Sequence, residues 1–222
     1  MKTSLEKVGH FIDREGEIAG EVRIVSGWNA VGHEVSLAIL TFFIHAYVLT
    51  QGVDGIVPFP EFRETGSAMN TTCQTVRDLE PLSHHINAVL EHADPEHYAD
   101  VLELRDLVRK SRASYDVLAG SDVLVYEGRE ILYNRQSGLH TDSQDPHLGW
   151  ALLAGLGLHK GGYVHFPHLG LRVRLEPGDV VALRGRVVPH QIEEWVGQRI
   201  TIPHFTHSSL WRAFGKHSVF LD

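Results

Sequence analysis

The sequence predicts a mainly β fold with flanking α-helices: a jelly-roll core buttressed by helices that precede it. Three observations carry this. Beyond Gly120 the hydrophobic pattern changes from helical spacing to short strand-like runs. Those runs are parted by Gly- and Pro-containing turns, among them Glu176-Pro177-Gly178-Asp179, which suits many short strands folded on one another. Upstream the chain carries helix start signals, the clearest being Asp94 as N-cap, Pro95 at the first helical position and Glu96 in the first turn.

Taken in order, residues 1–27 hold β-like pieces broken by Gly9, Gly16, Gly20 and Gly27, with Glu21–Val25 the clearest, and predict an edge hairpin. From His33 to Leu49 the chain is apolar nearly all round. It is too short for a membrane span and is interrupted by Ser36, Thr41 and His45, so a helix buried in the core is expected, with His45 a packed histidine. Residues 50–71, centred on Val57-Pro58-Phe59-Pro60, read as a loop packed on the barrel, with a lid or pocket wall as the alternative. A helical stretch from Thr72 to Leu90 is interrupted at Pro81. The helix after Asp94 runs to Arg112, with Val101, Leu104, Leu107 and Val108 inward and Glu103, Arg105, Asp106, Arg109 and Lys110 in solvent. Asp122–Tyr126 and Ile131–Asn134 read as a hairpin turning at Glu127-Gly128. Trp150–Leu158, Leu169–Leu175 and Val180–Leu183 read as buried strands. One domain is expected over 1–222: a hairpin and helical support region to 120, the jelly roll from 121 to 210, and a C-terminal tail from 211 to 222.

The net charge of −8, from 28 acidic against 20 basic residues, gives no overall attraction to a nucleic-acid backbone or an anionic membrane, and leaves room only for a local basic groove. Cys73 is the only cysteine, which excludes an intramolecular disulfide and fits a reducing compartment. Met1–Lys7 has no apolar stretch of the kind a secretion signal needs, so an intracellular, cytoplasmic location is expected.

The chemistry concentrates at Gly138-Leu139-His140-Thr141-Asp142. On a strand, His140 and Asp142 share a face and present an imidazole beside a carboxylate. His190, in the β-rich segment Val187–Trp195, is suited to be a third ligand. Two histidines and one carboxylate on one face of an octahedral ion leave three positions open for chemistry, so His140, Asp142 and His190 are the candidate metal and catalytic residues. Arg199 and Thr201 also share a strand face, and a guanidinium beside a hydroxyl suits a carboxylate. The other histidines lack such companions. His84, His85, His92 and His97 cluster around the helices, and His204-x-x-His207 has no partnered carboxylate or cysteine, so surface or packed roles are expected.

His140-x-Asp142, His190 and Arg199-x-Thr201, in this order and spacing, resemble the Fe(II)/2-oxoglutarate-dependent dioxygenase superfamily, whose core is a double-stranded β-helix. The likeness spans roughly Asp122 to His207. Within it, Gly161-Gly162-Tyr163-Val164-His165-Phe166-Pro167 followed by Leu175–Val181 is similar to the Gly-Gly…Pro…Pro-Gly-Asp pattern of the Tet/JBP-like branch. The resemblance implies Fe(II) on His140, Asp142 and His190, O2 as oxidant, and 2-oxoglutarate with its far carboxylate on Arg199 and Thr201. It implies decarboxylation of 2-oxoglutarate to succinate as a substrate C–H bond is oxidised. Tyr133 and Asn134 stand where members of the superfamily place groups that touch 2-oxoglutarate; Arg135 meets either an acidic group of the substrate or a surface carboxylate.

A small molecule, such as an amino acid or natural-product intermediate, is the expected substrate, on small size, acidic balance and lack of an accessory module. Oxidation of a modified nucleobase is the alternative, held back by the absence of a basic run for phosphate contacts. A non-catalytic metal-binding jelly roll comes third, since a structural site has no use for a carboxylate clamp. No membrane association is expected, and the oligomeric state is left open.

Overall fold

The computed structural model describes residues 11–12, 20–25, 67–111 and 113–214. The expected buried helix over 33–49, with His45, and the expected loop as far as residue 66 lie outside the described residues. Four helices come first: α1 Ser67–Asp78, α2 Glu80–Ala93, α3 Pro95–Ser111 and α4 Ala113–Ser121. α1 starts inside the stretch expected to be loop, because the Gly- and Pro-rich composition ends at Gly66 and the next twelve residues contain neither. Pro81 separates α1 from α2 as expected, sitting in the first turn of α2, where a missing N–H costs nothing. The Asp94 carboxylate caps α3 by accepting the His97 N–H at 3.0 Å.

Val101, Leu104 and Val108 face the core as predicted, but Arg105 does not lie in solvent. Its guanidinium donates to the carbonyls of Ala119 and Asp122 and pairs with Glu127 at 3.7 Å, so the charge is buried because acceptors surround it.

The strands are β1 Phe11–Ile12, β2 Gly20–Val25, β3 Gly128–Tyr133, β4 Gln136–Ser137, β5 Ala151–Gly161, β6 Val164–Phe166, β7 Leu171–Val173, β8 Val180–Leu183, β9 Gln191–Ile192 and β10 Trp195–Phe205, followed by helix α5 Ser208–Ala213. They form mostly antiparallel sheets: five strands in the order β2-β3-β10-β5-β8, three in the order β7-β6-β9, and the short pair β1-β4. The expected edge hairpin in 1–27 is corrected, since β1 and β2 pair in different sheets. The hairpin expected at 122–134 is also absent. Side chains take the backbone donors a ladder would use: Asp122 accepts from Leu124 N–H, Asn87 from Val125 N–H and Thr206 from Glu127 N–H. The buried strand expected at Leu169–Leu175 shrinks to β7 at a sheet edge, with Leu169 63% and Leu171 47% exposed.

Period-two alternation along β5 divides the interior in two. Leu152 and Ala154 pack with Ile86, Leu90, Leu104 and Ile202 under the helices, while Ala151 and Leu153 pack with Phe166, Leu183 and Trp195 between the sheets. β5 is therefore buried on both faces from Ala151 to Gly155, which is why that half is a continuous apolar run, whereas Leu158, expected to be buried, is 85% exposed. Trp211 of α5 is fully buried in the helix-side core, so the tail boundary drawn at 210 passes through a packed helix.

The helix-side layer also buries polar groups. Arg129 donates to Ser83 Oγ at 2.8 Å and pairs with Asp122 at 3.0 Å, opposite His204 on β10. Burial, helped by the Arg129 charge, pushes His204 down to about 3, and burial pushes His97 down to about 4 against the opposing charge of Asp94. Burial pushes the Glu127 carboxyl up to about 7, opposed by Arg105.

The two histidines stay neutral in the fold but take up protons near 6.5 when unfolded, so their stability contribution is lost as pH falls below that value. Glu127 acts oppositely, its contribution being lost as pH rises from 4.5 to about 7. Of these three groups two take up a proton on unfolding and one releases it, so together they lower stability as pH falls through this window. Urea unfolding at pH 7 and pH 5 of wild type and His204→Gln isolates the His204 share: the variant should lose less stability at pH 5, and a variant profile parallel to wild type would overturn the assignment.

Candidate metal centre

His140 and His190 face each other across an isolated antiparallel bridge, each N–H donating to the other's carbonyl at 3.0 and 2.9 Å. Their rings lie 4.3 Å apart, centroid to centroid. The strand expected through Asp142 is only this bridge, and Asp142 is placed instead by its N–H donating to the Gly185 carbonyl at 2.9 Å. The outcome is the predicted juxtaposition by another route. Asp142 oxygens lie 3.5 Å from His140 Nε2 and 3.8 Å from His190 Nε2, and one donor atom from each residue falls within 4.8 Å of the others.

Each histidine donates Nδ1–H to a carbonyl two residues back, His140 to Gly138 at 2.8 Å and His190 to Val188 at 3.0 Å. That fixes the tautomer with both Nε2 lone pairs turned to the cluster, as a metal-ligating histidine requires. Burial opposes protonation of His140, but the hydrogen bonds to Asp142 and Gly138 carry its pKa above the ordinary value; burial holds His190 below it, against the pull of Asp142.

Gly185 is a functional position that sequence reasoning missed. A Cβ there would stand 1.9 Å from Asp142 Oδ2, so only glycine lets the 184–188 turn lie against the carboxylate. The one available signal was an Arg-Gly-Arg turn just upstream of His190.

Arg199 and Thr201 share the inner face of β10, and each is 2% exposed. The Arg199 guanidinium lies over the Trp195 ring at 5.2 Å, and Gly162, at φ 70°, clears its path: a Cβ there would come within 2.9 Å of Nε. Thr201 Oγ1 is buried with no hydrogen-bond partner among the described residues, an unfavourable state for a hydroxyl unless a ligand oxygen meets it. This orphaned hydroxyl, with the two Nε2 lone pairs and one carboxylate, fits Fe(II) and a carboxylate-bearing co-substrate.

Asn134 and Tyr133 stand differently. Asn134 is the only non-glycine at positive φ, 48°, among the described residues. Its N–H donates to the Arg199 carbonyl at 2.8 Å and its Oδ1 accepts the Arg199 N–H at 2.9 Å, so it holds the arginine's backbone. Tyr133 pairs with Ile200 and so lies on the sheet face opposite Arg199 and Thr201.

His207, set aside for want of a carboxylate, has one: Nδ1 lies 3.1 Å from Asp145 Oδ1. The two are 62 residues apart in the chain, which hid the pairing. Asp145 is turned back on the metal-side segment by donating its N–H to the Asp142 carbonyl at 3.0 Å. Burial raises its carboxyl above the usual range against the bond and charge of His207. His204 diverges from His207 and bonds the Leu152 carbonyl at 3.1 Å.

Two histidines and a carboxylate on one side of an open site are the donor set of a non-haem Fe(II) oxygenase. The family profile for the oxygenase domain of the 2OGFeDO superfamily, Tet_JBP, matches residues 58–208, and the chain belongs to this family. The superfamily implies Fe(II), 2-oxoglutarate and O2. Among solved structures, NgTET1 in complex with 5mC DNA matches at 17% identity and a TM-score of 0.53, over 69% of this chain and 56% of that one. This chain thus spans little more than half of NgTET1, and the likeness is one of fold. A Cupin 2 conserved barrel domain protein from Salinispora arenicola CNS-205 matches at 16% identity with a TM-score of 0.27, over 41% of this chain and 71% of that one, too slight a likeness to build on. No curated protein matches by sequence.

The expected small-molecule partner is corrected by these findings: the family is Tet_JBP, and the similar solved protein is in complex with 5mC DNA. Acidic net charge gave no sure ground for that expectation, because it averages over the whole surface and leaves the few groups at a site undetermined. Among the described residues no helix is long and apolar enough to cross a membrane.

Proposed function

We propose that the chain is a single Fe(II)/2-oxoglutarate-dependent oxygenase domain with a jelly-roll core, and that it oxidises a modified base in nucleic acid, with a methylated pyrimidine as first candidate. In this reading His140, Asp142 and His190 hold the iron, and Arg199 and Thr201 hold the far carboxylate of 2-oxoglutarate. The bound group supplies oxidation of a C–H bond at the expense of O2, as 2-oxoglutarate loses CO2 to become succinate. The protein's part is to bind, orient and exclude water.

The observation that carries the substrate class is the Asp145–His207 pair beside Asp142. A buried carboxyl touching an imidazole sets a donor and an acceptor side by side, which suits the hydrogen-bonding edge of an everted base. Family membership and the fold shared with NgTET1 support the same reading.

The test is incubation with Fe(II), 2-oxoglutarate and oligonucleotides, single- and double-stranded, with and without 5-methylcytosine. The expected result is gain of one oxygen atom on the methylated strand with matching succinate. Succinate formation that never responds to a modified oligonucleotide, whatever the base, would overturn the substrate class while leaving the cofactors standing.

A further inference from the structure

The turn from Arg184 to Val188 lies against the metal centre without supplying a ligand. Val187 N–H and Val188 N–H both donate to the Arg184 carbonyl, at 3.1 and 3.0 Å, and the Gly185 carbonyl holds Asp142. Its two arginines differ in what surrounds them. Arg184 lies over the Trp150 ring at 4.6 Å and approaches Asp94 at 4.0 Å, so it is bound into the fold. Arg186 is half-buried and has no carboxylate at ion-pair distance among the described residues. Three surface arginines elsewhere are neutralised, Arg172 by Glu193, Arg174 by Asp179 and Arg109 by Asp116, while exposed Arg77 and Arg212 stand on helices α1 and α5 rather than on this turn.

Position gives Arg186 its meaning. It follows Gly185, whose carbonyl holds Asp142, whose own carbonyl holds Asp145, so the turn, the Asp142 segment and the Asp145–His207 pair form one hydrogen-bonded set. The Arg186 charge also acts on Asp145, where burial and His207 are the larger influences. Next to it Val187 is 49% exposed, an apolar side chain in solvent on the same turn.

We propose that the 184–188 turn is a nucleic-acid contact, in which Arg186 takes a backbone phosphate beside the everted base and Val187 packs into the space the base leaves. The proposal rests on the nucleobase reading above and goes beyond it by naming the surface that supplies the missing positive charge. An unneutralised guanidinium matches phosphate in charge and geometry, and an apolar side chain beside it is the kind of wedge that offsets lost stacking. With a net charge of −8, the chain needs its cations placed at the mouth rather than spread over its surface.

The experiment is fluorescence anisotropy of a 5-methylcytosine oligonucleotide titrated with the full chain over a range of KCl. Arg186→Ala should weaken binding and lower the slope of log affinity against log salt by about 1, one phosphate contact. R186K should keep the slope, and Arg172→Ala, at an arginine already neutralised by Glu193, should leave it unchanged. Val187→Ser should cost affinity for duplex and not for single strand, because only in duplex must stacking be replaced. If the wild type shows no salt-dependent binding, the nucleobase reading itself falls. If the wild type binds and R186A keeps its affinity and slope, this proposal alone falls.

Discussion

Replacing Asp142 by Ala is expected to bring metal-dependent oxidation below detection, and Gly185→Ala to weaken metal binding by about 10- to 100-fold with all three candidate ligands still in the sequence. Asp142 is the only anionic donor in the cluster and bridges the two histidines at 3.5 and 3.8 Å. Without it the imidazoles remain as neutral donors and the site loses the charge that favours a divalent ion. Gly185 works through contact: its absent Cβ would overlap Asp142 Oδ2, so alanine drives either the turn or the carboxylate out of place. Titration with Co(II), followed by its visible spectrum, reads both variants. Tight binding by D142A would move the site elsewhere, and wild-type affinity in G185A would show that the turn yields freely.

Arg199→Ala is expected to raise the KM for 2-oxoglutarate roughly 10- to 100-fold, with a smaller effect on kcat, the scale of one charged hydrogen bond. The effect is large because the guanidinium is 2% exposed and water cannot replace it. Asn134 separates direct from indirect action. Its Oδ1 accepts the Arg199 N–H and its backbone adopts a left-handed conformation. Asn134→Gly keeps the conformation and removes the acceptor, whereas Asn134→Asp keeps both. N134G should therefore raise the KM for 2-oxoglutarate and N134D should restore much of it. If N134G leaves the KM unchanged, Asn134 serves stability alone; if R199A leaves it unchanged, the clamp lies elsewhere.

These two predictions draw on different sources of knowledge. The juxtaposition of His140, Asp142 and His190, and the shared strand face of Arg199 and Thr201, were legible in the sequence because donor chemistry is a property of residue type and strand alternation acts over two residues. The Asp94 cap, the Pro81 break and the doubly buried half of β5 were legible for the same reason, since capping, a missing N–H and an apolar run act within a few residues.

Tertiary structure decided what depends on distant partners. The stretch 122–127 has strand-like residues, yet Asn87 takes the Val125 N–H and Thr206 the Glu127 N–H. Arg105 carries a surface residue's charge, yet the Ala119 and Asp122 carbonyls and Glu127 meet it inside. Asn134 turned out to grip the backbone of Arg199, and His207 found its carboxylate 62 residues away. The surroundings of the candidate site belong to the same group. Net charge is a sum over the chain and does not say which few charges stand together, whereas the fold joins the Arg184–Val188 turn, Asp142, Asp145 and His207 in one hydrogen-bonded set.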